Sequence, residues 1–162
     1  MSFLGVFLFD MSTTKIILTE EGLNTLKSEY SELTTARRKE VAQKIKEAVA
    51  LGDLSENAEY DAARDEQAEI EGRIVELGDI LKRAEVSKNQ SGIVNVGSKV
   101  KVKLEADEYE FHLVGGPEAD PSLGKISHES PIGQALLGAK VGDKVTVTTP
   151  AGQVHYVIIT IS

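Results

Sequence analysis

Apolar residues in the first half of the chain recur with the spacing of amphipathic helices. A helix start is indicated at Thr19, where a hydroxyl side chain precedes two acids, Glu20 and Glu21, at the positive end of the helix dipole. The apolar stripes of the two predicted helices are Leu23, Leu26, Tyr30, Leu33, Val41, Ile45 and Ala48, and Tyr60, Ala63, Gln67, Ile70, Ile74, Leu77, Leu81 and Ala84. Two such stripes joined by a short turn predict an antiparallel coiled-coil hairpin, which projects about 45 Å if each helix has about thirty residues.

The stripe of the first helix has one interruption, between Leu33 and Val41. The intervening residues 34–38 read Thr-Thr-Ala-Arg-Arg and supply no large apolar side chain. We expect that the seam is polar here or that the supercoil locally unwinds.

The second half of the chain changes to strand periodicity. Strict alternation predicts strands at residues 99–104, 109–113 and 153–158, with a further strand at 144–149. Residues 131–138 predict one short helix, because Pro131 lies in its first turn and a glycine ends it. This half is therefore predicted to be a small antiparallel sheet with a helix across one face.

Two domains follow, an all-α coiled-coil hairpin at residues 15–89 and a small α+β domain at residues 90–162. Residues 1–14 are predicted to be an N-terminal extension. Residues 1–10 read MSFLGVFLFD, which is too short to span a membrane and lacks the features of a signal peptide. We interpret this segment as the product of a misassigned start codon, with Met11 as the true first residue; a short interacting tail is the alternative.

Composition narrows the classes of function. The 162 residues carry a net charge of −8, which argues against a protein that grips duplex nucleic acid by its phosphates. Any function that involves nucleic acid should therefore depend on a protein partner or a metal ion. The absence of cysteine excludes disulfides and thiolate metal sites and is compatible with a reducing cytoplasm.

The turn between the two helices carries the most informative chemistry. Residues 52–60 read Gly-Asp-Leu-Ser-Glu-Asn-Ala-Glu-Tyr, so that Asp53 and Glu56 are three residues apart at the tip of the hairpin. The spacing fits a capping box, in which Asp53 caps the second helix and Glu56 reaches back. It also fits a pair of carboxylates presented to Mg²⁺, which accepts one or two carboxylates and can activate water for phosphodiester hydrolysis.

Several segments match one known family. They are residues 52–60 with 62–64, the helix start at 18–23, residues 71–74 and, in the second half, residues 126–133 and 149–152. These segments resemble the bacterial Gre transcript-cleavage factors, the GreA-like type in particular. The resemblance covers the chain from about residue 16 onward.

The resemblance implies a protein that binds bacterial RNA polymerase and inserts its coiled coil into the secondary channel, while an FKBP-like C-terminal domain stays at the channel rim. In a backtracked complex the polymerase would then cleave the extruded RNA 3′ end and resume elongation. Asp53 and Glu56 match the catalytic acids of the family. They would share a Mg²⁺ ion with the polymerase, an ion that the isolated chain does not hold stably.

The resemblance also implies roles for residues outside the acid pair. The expected tip-support residues are Asn57, Glu59 and Tyr60; the expected RNA or channel contacts are Arg64, Arg37 and Arg38; and the expected polymerase-docking residues are Ile126, Ser127, Ser130 and Pro131. The partners are RNA polymerase and the nascent RNA 3′ end, with no membrane and no sequence-specific DNA binding. The protein would be a cytoplasmic monomer and not itself an enzyme.

Two other functions are weighed against this one. A Gre homologue could inhibit polymerase by occupying the channel without supporting cleavage, but the presence of both Asp53 and Glu56 argues against that function. The FKBP-like domain could be a prolyl isomerase, but an aromatic content of 5% and the absence of tryptophan argue against an aromatic proline pocket.

Overall fold

The computed structural model describes residues 14–53 and 56–162, which form a helical hairpin and a sheet body. The helices of the hairpin are α1 (Glu20–Glu32), α2 (Arg38–Ala50) and α3 (Ala58–Arg83). The predicted start of α1 is confirmed, because the Thr19 side chain accepts a hydrogen bond from the Gly22 backbone N–H at 2.9 Å. Except for Thr14, the predicted N-terminal extension lies outside the described residues.

The predicted interruption of the first helix is a π-helical segment, Leu33–Arg37, which joins α1 to α2 in one arm. Two threonine hydroxyls donate to backbone carbonyls of the preceding turn, Thr34 to Tyr30 O at 2.8 Å and Thr35 to Ser31 O at 2.6 Å. Such bonds offer the backbone an alternative to regular helical pairing, and π segments occur where a helix is locally distorted. The predicted break is therefore confirmed, and it takes the form of a π-helical segment.

The seam of the hairpin consists of two buried clusters. The cluster at the base contains Leu18, Leu26, Leu77 and Ile80, and the cluster midway along contains Val41, Ile70 and Ile74. The predicted stripe omitted Ile80, which is buried, and included Leu81, which is only partly buried. The base buries this additional side chain because a strand residue, Leu18, packs there together with the two helices.

The base of the hairpin is closed by two short strands that the periodicity did not predict. Strand β1 (Ile16–Leu18) pairs in parallel with β2 (Ala84–Val86), with Leu18 opposite Val86. Ala84, predicted as the last seam residue of the second helix, is instead the first residue of β2, because α3 ends at Arg83. The two ends of the hairpin are therefore tied together before the chain enters the sheet body.

The sheet body contains five strands in the order β5-β4-β3-β7-β6. Their bounds are β3 (Lys99–Leu104), β4 (Asp107–Val114), β5 (Lys125–Ser127), β6 (Lys144–Thr149) and β7 (Gly152–Ile161). The prediction of an antiparallel sheet holds for four strands and is wrong for β5, which pairs in parallel with β4. The connection between β4 and β5 passes through two 3-10 turns, so β5 returns in the same direction as β4.

The predicted helix across the sheet is α4 (Pro131–Leu136), which confirms an α+β body. Leu136 is buried against the sheet together with Val100, Val102, Leu113 and Ile158. The helix ends earlier than predicted, because Leu137 and Gly138 leave the helical conformation. Within the part of the chain that the structure describes, no helix is long and apolar enough to cross a membrane.

Candidate functional site at the hairpin tip

The tip of the hairpin is the turn between the end of α2 at Ala50 and the start of α3 at Ala58. The backbone reverses through Gly52, whose φ of +111° is a conformation that residues with a side chain rarely adopt. Asp53 follows this glycine directly, and both Asp53 and Glu56 are exposed. The turn therefore presents the two predicted acids at the outer end of the molecule.

The residue that caps α3 is Asn57, so the capping-box interpretation of Asp53 is wrong for this helix. The Asn57 side-chain oxygen accepts hydrogen bonds from the backbone N–H groups of Glu59 and Tyr60, both at 3.1 Å. The helix begins later than the capping box requires, and asparagine is as good an N-cap as aspartate. The start of α3 thus depends on an amide and not on the predicted pair of acids.

Asn57 also joins the two helices at the tip. Its side-chain nitrogen donates to the carbonyl oxygen of Ala48 at 2.8 Å, in the last turn of α2. One amide group therefore bonds to backbone groups at the end of one helix and at the start of the next. Asn57 belongs with the other two predicted tip-support residues, exposed Glu59 and half-buried Tyr60, in the first turn of α3.

Two acids of the acidic α3 stabilise the hairpin. The Glu66 carboxylate lies 2.8 Å from Arg37 Nη2 and 2.6 Å from Lys44 Nζ, and Glu71 forms a bidentate pair with Arg38 at 2.7 and 2.6 Å. The hydrogen bond from Lys44 lowers the pKa of Glu66, and that from Arg38 lowers the pKa of Glu71. These acids hold α3 to the opposite arm.

The three predicted RNA or channel arginines consequently lie in different surroundings. Arg37 and Arg38 are engaged in the ion pairs between the two arms. Arg64 is exposed, lies closer to the tip along α3, and donates to Gln67 of its own helix at 2.6 Å. Arg64 is thus the arginine of the three whose described contacts stay within one helix.

The four predicted docking residues lie together on the sheet body. Ile126, Ser127, Ser130 and Pro131 line one groove of about 430 Å³, whose other lining residues include Ile132, Val147 and Pro150. We call it the apolar groove. Ser130 caps α4 by accepting from the Gly133 backbone N–H at 3.0 Å, and its hydroxyl donates to Ser127 O at 2.7 Å. The described lining contains no aromatic side chain, so it does not resemble the aromatic proline pocket of an isomerase.

The chemistry of the two tip acids suits a shared metal ion. Carboxylate oxygens are the ligands that Mg²⁺ prefers, and Mg²⁺ keeps its remaining positions for water or another molecule. Among residues 14–53 and 56–162, no three histidine, aspartate or glutamate side chains are grouped closely enough to hold a metal. Asp53 and Glu56 are exposed carboxylates three residues apart, which is the donor type that such an ion accepts.

Sequence reasoning missed one connection at the other end of the hairpin. The carboxylate of Glu118, in the 3-10 turn Gly116–Glu118 of the sheet body, accepts hydrogen bonds from the Thr19 backbone N–H at 2.8 Å and from the Thr19 hydroxyl. The two residues are 99 positions apart, so no local pattern could have paired them. The cap of α1 is therefore also a contact with the sheet body.

Comparisons with known proteins agree with the resemblance. The family model described as the N-terminal domain of the GreA/GreB transcription elongation factors matches residues 16–86, and the model of the C-terminal domain matches residues 89–162. Transcription elongation factor GreA of Acetivibrio thermocellus is 51% identical over 157 residues, which cover 93% of this chain and 99% of that protein. GreA of Clostridium beijerinckii is 52% identical over 158 residues, which cover 94% and 99%.

A solved structure of the related protein Gfh1 of Thermus thermophilus shares 31% identity, covers 91% of this chain and 99% of that one, and has a TM-score of 0.43. The two family models together span nearly all of the described chain, and the GreA relatives match it over almost their entire length. The predicted resemblance is therefore confirmed, and the chain belongs to the GreA/GreB family of transcription elongation factors.

Proposed function

We propose that this protein binds bacterial RNA polymerase, inserts the hairpin tip into the secondary channel and stimulates the polymerase's own cleavage of RNA in backtracked complexes. The observation that carries the proposal is the state of the tip acids. Asp53 and Glu56 are exposed at the end of the hairpin, and the cap of α3 is provided by a different residue, Asn57. Capping of α3 therefore does not account for them.

The hairpin is long enough to place its tip far from the sheet body. Helix α3 alone contains 26 residues, and a helix of that length spans about 40 Å. Its two arms are joined by a seam of buried apolar residues and by ion pairs between the arms, so the tip is held at a defined distance from the sheet body. Such a shape supports insertion into a narrow channel.

The tip residues would supply ligands and orientation. Asp53 and Glu56 would hold a Mg²⁺ ion jointly with polymerase groups, and this ion, when bound, supplies the activation of a water for phosphodiester hydrolysis. Asn57 fixes the end of α2 relative to the start of α3 and thereby sets where the acids project. Arg64, exposed on α3, is available for the RNA or the channel wall.

The sheet body would remain at the polymerase surface, with the apolar groove as the docking surface. The protein itself would not be an enzyme; it would act as a cytoplasmic monomer whose partners are polymerase and the RNA 3′ end inside the complex. Its net charge of −8 supports recruitment by a protein partner, because a negative surface is repelled by free nucleic acid.

The test is an RNA cleavage assay on stalled, backtracked elongation complexes. We expect the purified protein to shorten the RNA in a Mg²⁺-dependent manner, and to leave free RNA intact when polymerase is omitted. Intact transcripts together with slowed RNA synthesis would contradict the proposal and support the inhibitory function. Cleavage of free RNA without polymerase would instead show an independent nuclease and contradict it.

A further inference from the structure

The junction between hairpin and sheet body is organised around one carboxylate. Glu118 Oε2 accepts from the Thr19 backbone N–H at 2.8 Å and from the Gly115 backbone N–H at 3.1 Å, while Oε1 accepts from the Thr19 hydroxyl. The same hydroxyl accepts from the Gly22 N–H at 2.9 Å and so caps α1. Glu118 thus binds the first residues of the hairpin and its own turn at once.

Two glycines allow this close approach. A Cβ atom built on Gly22 would lie 1.9 Å from Glu118 Oε1, so the carboxylate lies directly over the first turn of α1. A Cβ atom on Gly115 would lie 2.1 Å from the carbonyl oxygen of Ile17 in β1, so the backbones of hairpin and sheet body nearly touch. Neither glycine has a positive φ, so backbone conformation does not require glycine at these positions. The lack of room for a side chain does.

Because the junction lies at the base of the hairpin, a small rotation there produces a large displacement of the tip. The tip lies at the start of α3, whose 26 residues run from the tip to the base. At ~1.5 Å per residue, a rotation of about 5° at the base would move the tip by roughly 3 Å. A displacement of about 1 Å in a reacting constellation can cost on the order of a hundredfold in rate. If the sheet body is docked, the direction of the hairpin must therefore be fixed at its base.

We propose that Glu118 is a positioning residue, which fixes the angle between hairpin and sheet body and thereby places Asp53 and Glu56. The role in cleavage rests on the proposed function, whereas the role in fixing the angle does not. A purely local role is the alternative, in which Glu118 only completes its own 3-10 turn through Gly115.

Two variants separate these roles. Glu118→Ala removes every bond of the carboxylate. Gly22→Ala keeps the carboxylate but places a methyl group 1.9 Å from Glu118 Oε1 and 2.0 Å from its Cδ, which displaces Glu118 from Thr19. Alanine is also a better helix former than glycine, so α1 itself is not weakened. Glu85→Gln is the matched control, because the described ion pair of Glu85 is with Lys15 at the same base and stays within the hairpin.

The angle between hairpin and sheet body can be followed by double electron–electron resonance, which measures the distance between two spin labels. The chain contains no cysteine, so the exposed residues Glu69 on α3 and Lys140 on the sheet body can each be replaced by a spin-labelled cysteine without background labelling. We expect one narrow distance distribution for the parent and for Glu85→Gln. We expect a broadened or shifted distribution for Glu118→Ala and for Gly22→Ala, with unchanged helical circular dichroism.

The second readout is RNA cleavage in backtracked complexes, measured as a function of factor concentration. We expect both variants to lower the maximal cleavage rate on the order of tenfold or more, with a smaller change in the concentration for half-maximal effect. This split distinguishes misplacement of the tip from loss of binding.

Each outcome decides one part of the proposal. Unchanged distance distributions in both variants would overturn the role of Glu118 in fixing the angle, whatever the cleavage result. A broadened distribution in Glu118→Ala alone would support the local role instead. Broadened distributions with full cleavage rates would overturn the positioning of the tip. Absence of cleavage by the parent protein would contradict the proposed function, and the distance measurements would still test the junction.

Discussion

At the base of the hairpin the carboxylate of Glu118 accepts three hydrogen bonds, whereas at the tip Asp53 and Glu56 are exposed and the cap of α3 comes from Asn57. The base is surrounded by buried side chains, Leu18 and Leu77 among them. The tip has no comparable cluster among its described residues. Carboxylates therefore lie at both ends of the hairpin, at a junction with the sheet body in one case and on an exposed turn in the other.

Several acids of this chain join separate elements of the fold. An acid that holds the fold lies against matched donors, as Glu118 does at the base and Glu66 and Glu71 do between the arms. The tip acids lie at an exposed turn, and the helix that follows them begins with a different cap.

The largest difference between the base and the tip should be in how far a substitution lowers the free energy of unfolding. One substitution at each end tests this. Leu77→Ala removes a side chain that is 0% exposed at the base and should lower the free energy of unfolding by about 2–5 kcal/mol. Leu51→Ala, at a tip position that is 69% exposed, should change it by less than about 0.5 kcal/mol. Urea denaturation measures both. Equal losses would contradict the division between a structural base and a functional tip.

Substitution of the tip acids should mainly affect RNA cleavage. Asp53→Ala and Glu56→Ala should each reduce RNA cleavage in backtracked complexes by about a hundredfold, since a metal contact contributes several kcal/mol to the transition state. Helical circular dichroism should remain near that of the parent, because Asn57 caps α3. Asp61→Asn is the control, an exposed acid in the first turn of α3 with no assigned role. A comparable loss of cleavage in the control would show that general negative charge is sufficient.

Asn57 should show both a structural and a functional effect. Asn57→Ala removes the cap and the bond to Ala48 O, and should lower the free energy of unfolding by about 1–3 kcal/mol. Asn57→Ser retains a capping oxygen and loses only the bond to α2, so its loss should be about 0.5–1.5 kcal/mol. Chemical denaturation gives the two values. Identical values would mean that the bond to Ala48 contributes nothing.

The smallest effect should come from the ion pairs between the arms. The pKa of Glu71 is lowered by the hydrogen bond from Arg38, so the pair stabilises the folded state at and above the ordinary glutamate pKa. This stabilisation is lost as the pH falls through the lowered pKa of the folded state. Urea denaturation between pH 7 and pH 3 should therefore show a slightly smaller acid destabilisation for Glu71→Gln than for the parent. Coincident pH profiles would contradict this role of the pair.

Periodicity was sufficient for the large elements because it reports repeated burial. Leu26, Ile74 and Leu77 recur on one face of a helix, and the alternation at residues 99–104 reports a strand with Val100 and Val102 buried. The break after Leu33 was visible as well. Its π-helical form, with threonine hydroxyls bonded to the preceding turn, is not specified by the spacing alone.

The remaining features depend on contacts that local patterns do not determine. Asp53 and Asn57 are both good caps, so only the observed start of α3 decides between them. Strands β1 and β2 have three residues each, too few to show alternation. Glu118 meets Thr19 across 99 positions, and the apolar groove forms only when Ser130 and Val147 are brought together by the fold.

The central proposal is that the tip acids hold a metal ion together with the polymerase. Its most direct test is the Mg²⁺ dependence of RNA cleavage by backtracked complexes at saturating factor, compared between the parent protein and Asp53→Asn. The account predicts a lower maximal rate and a higher Mg²⁺ concentration at half-maximal rate for Asp53→Asn, with unchanged binding to polymerase. Superimposable Mg²⁺ curves for the two proteins would contradict it.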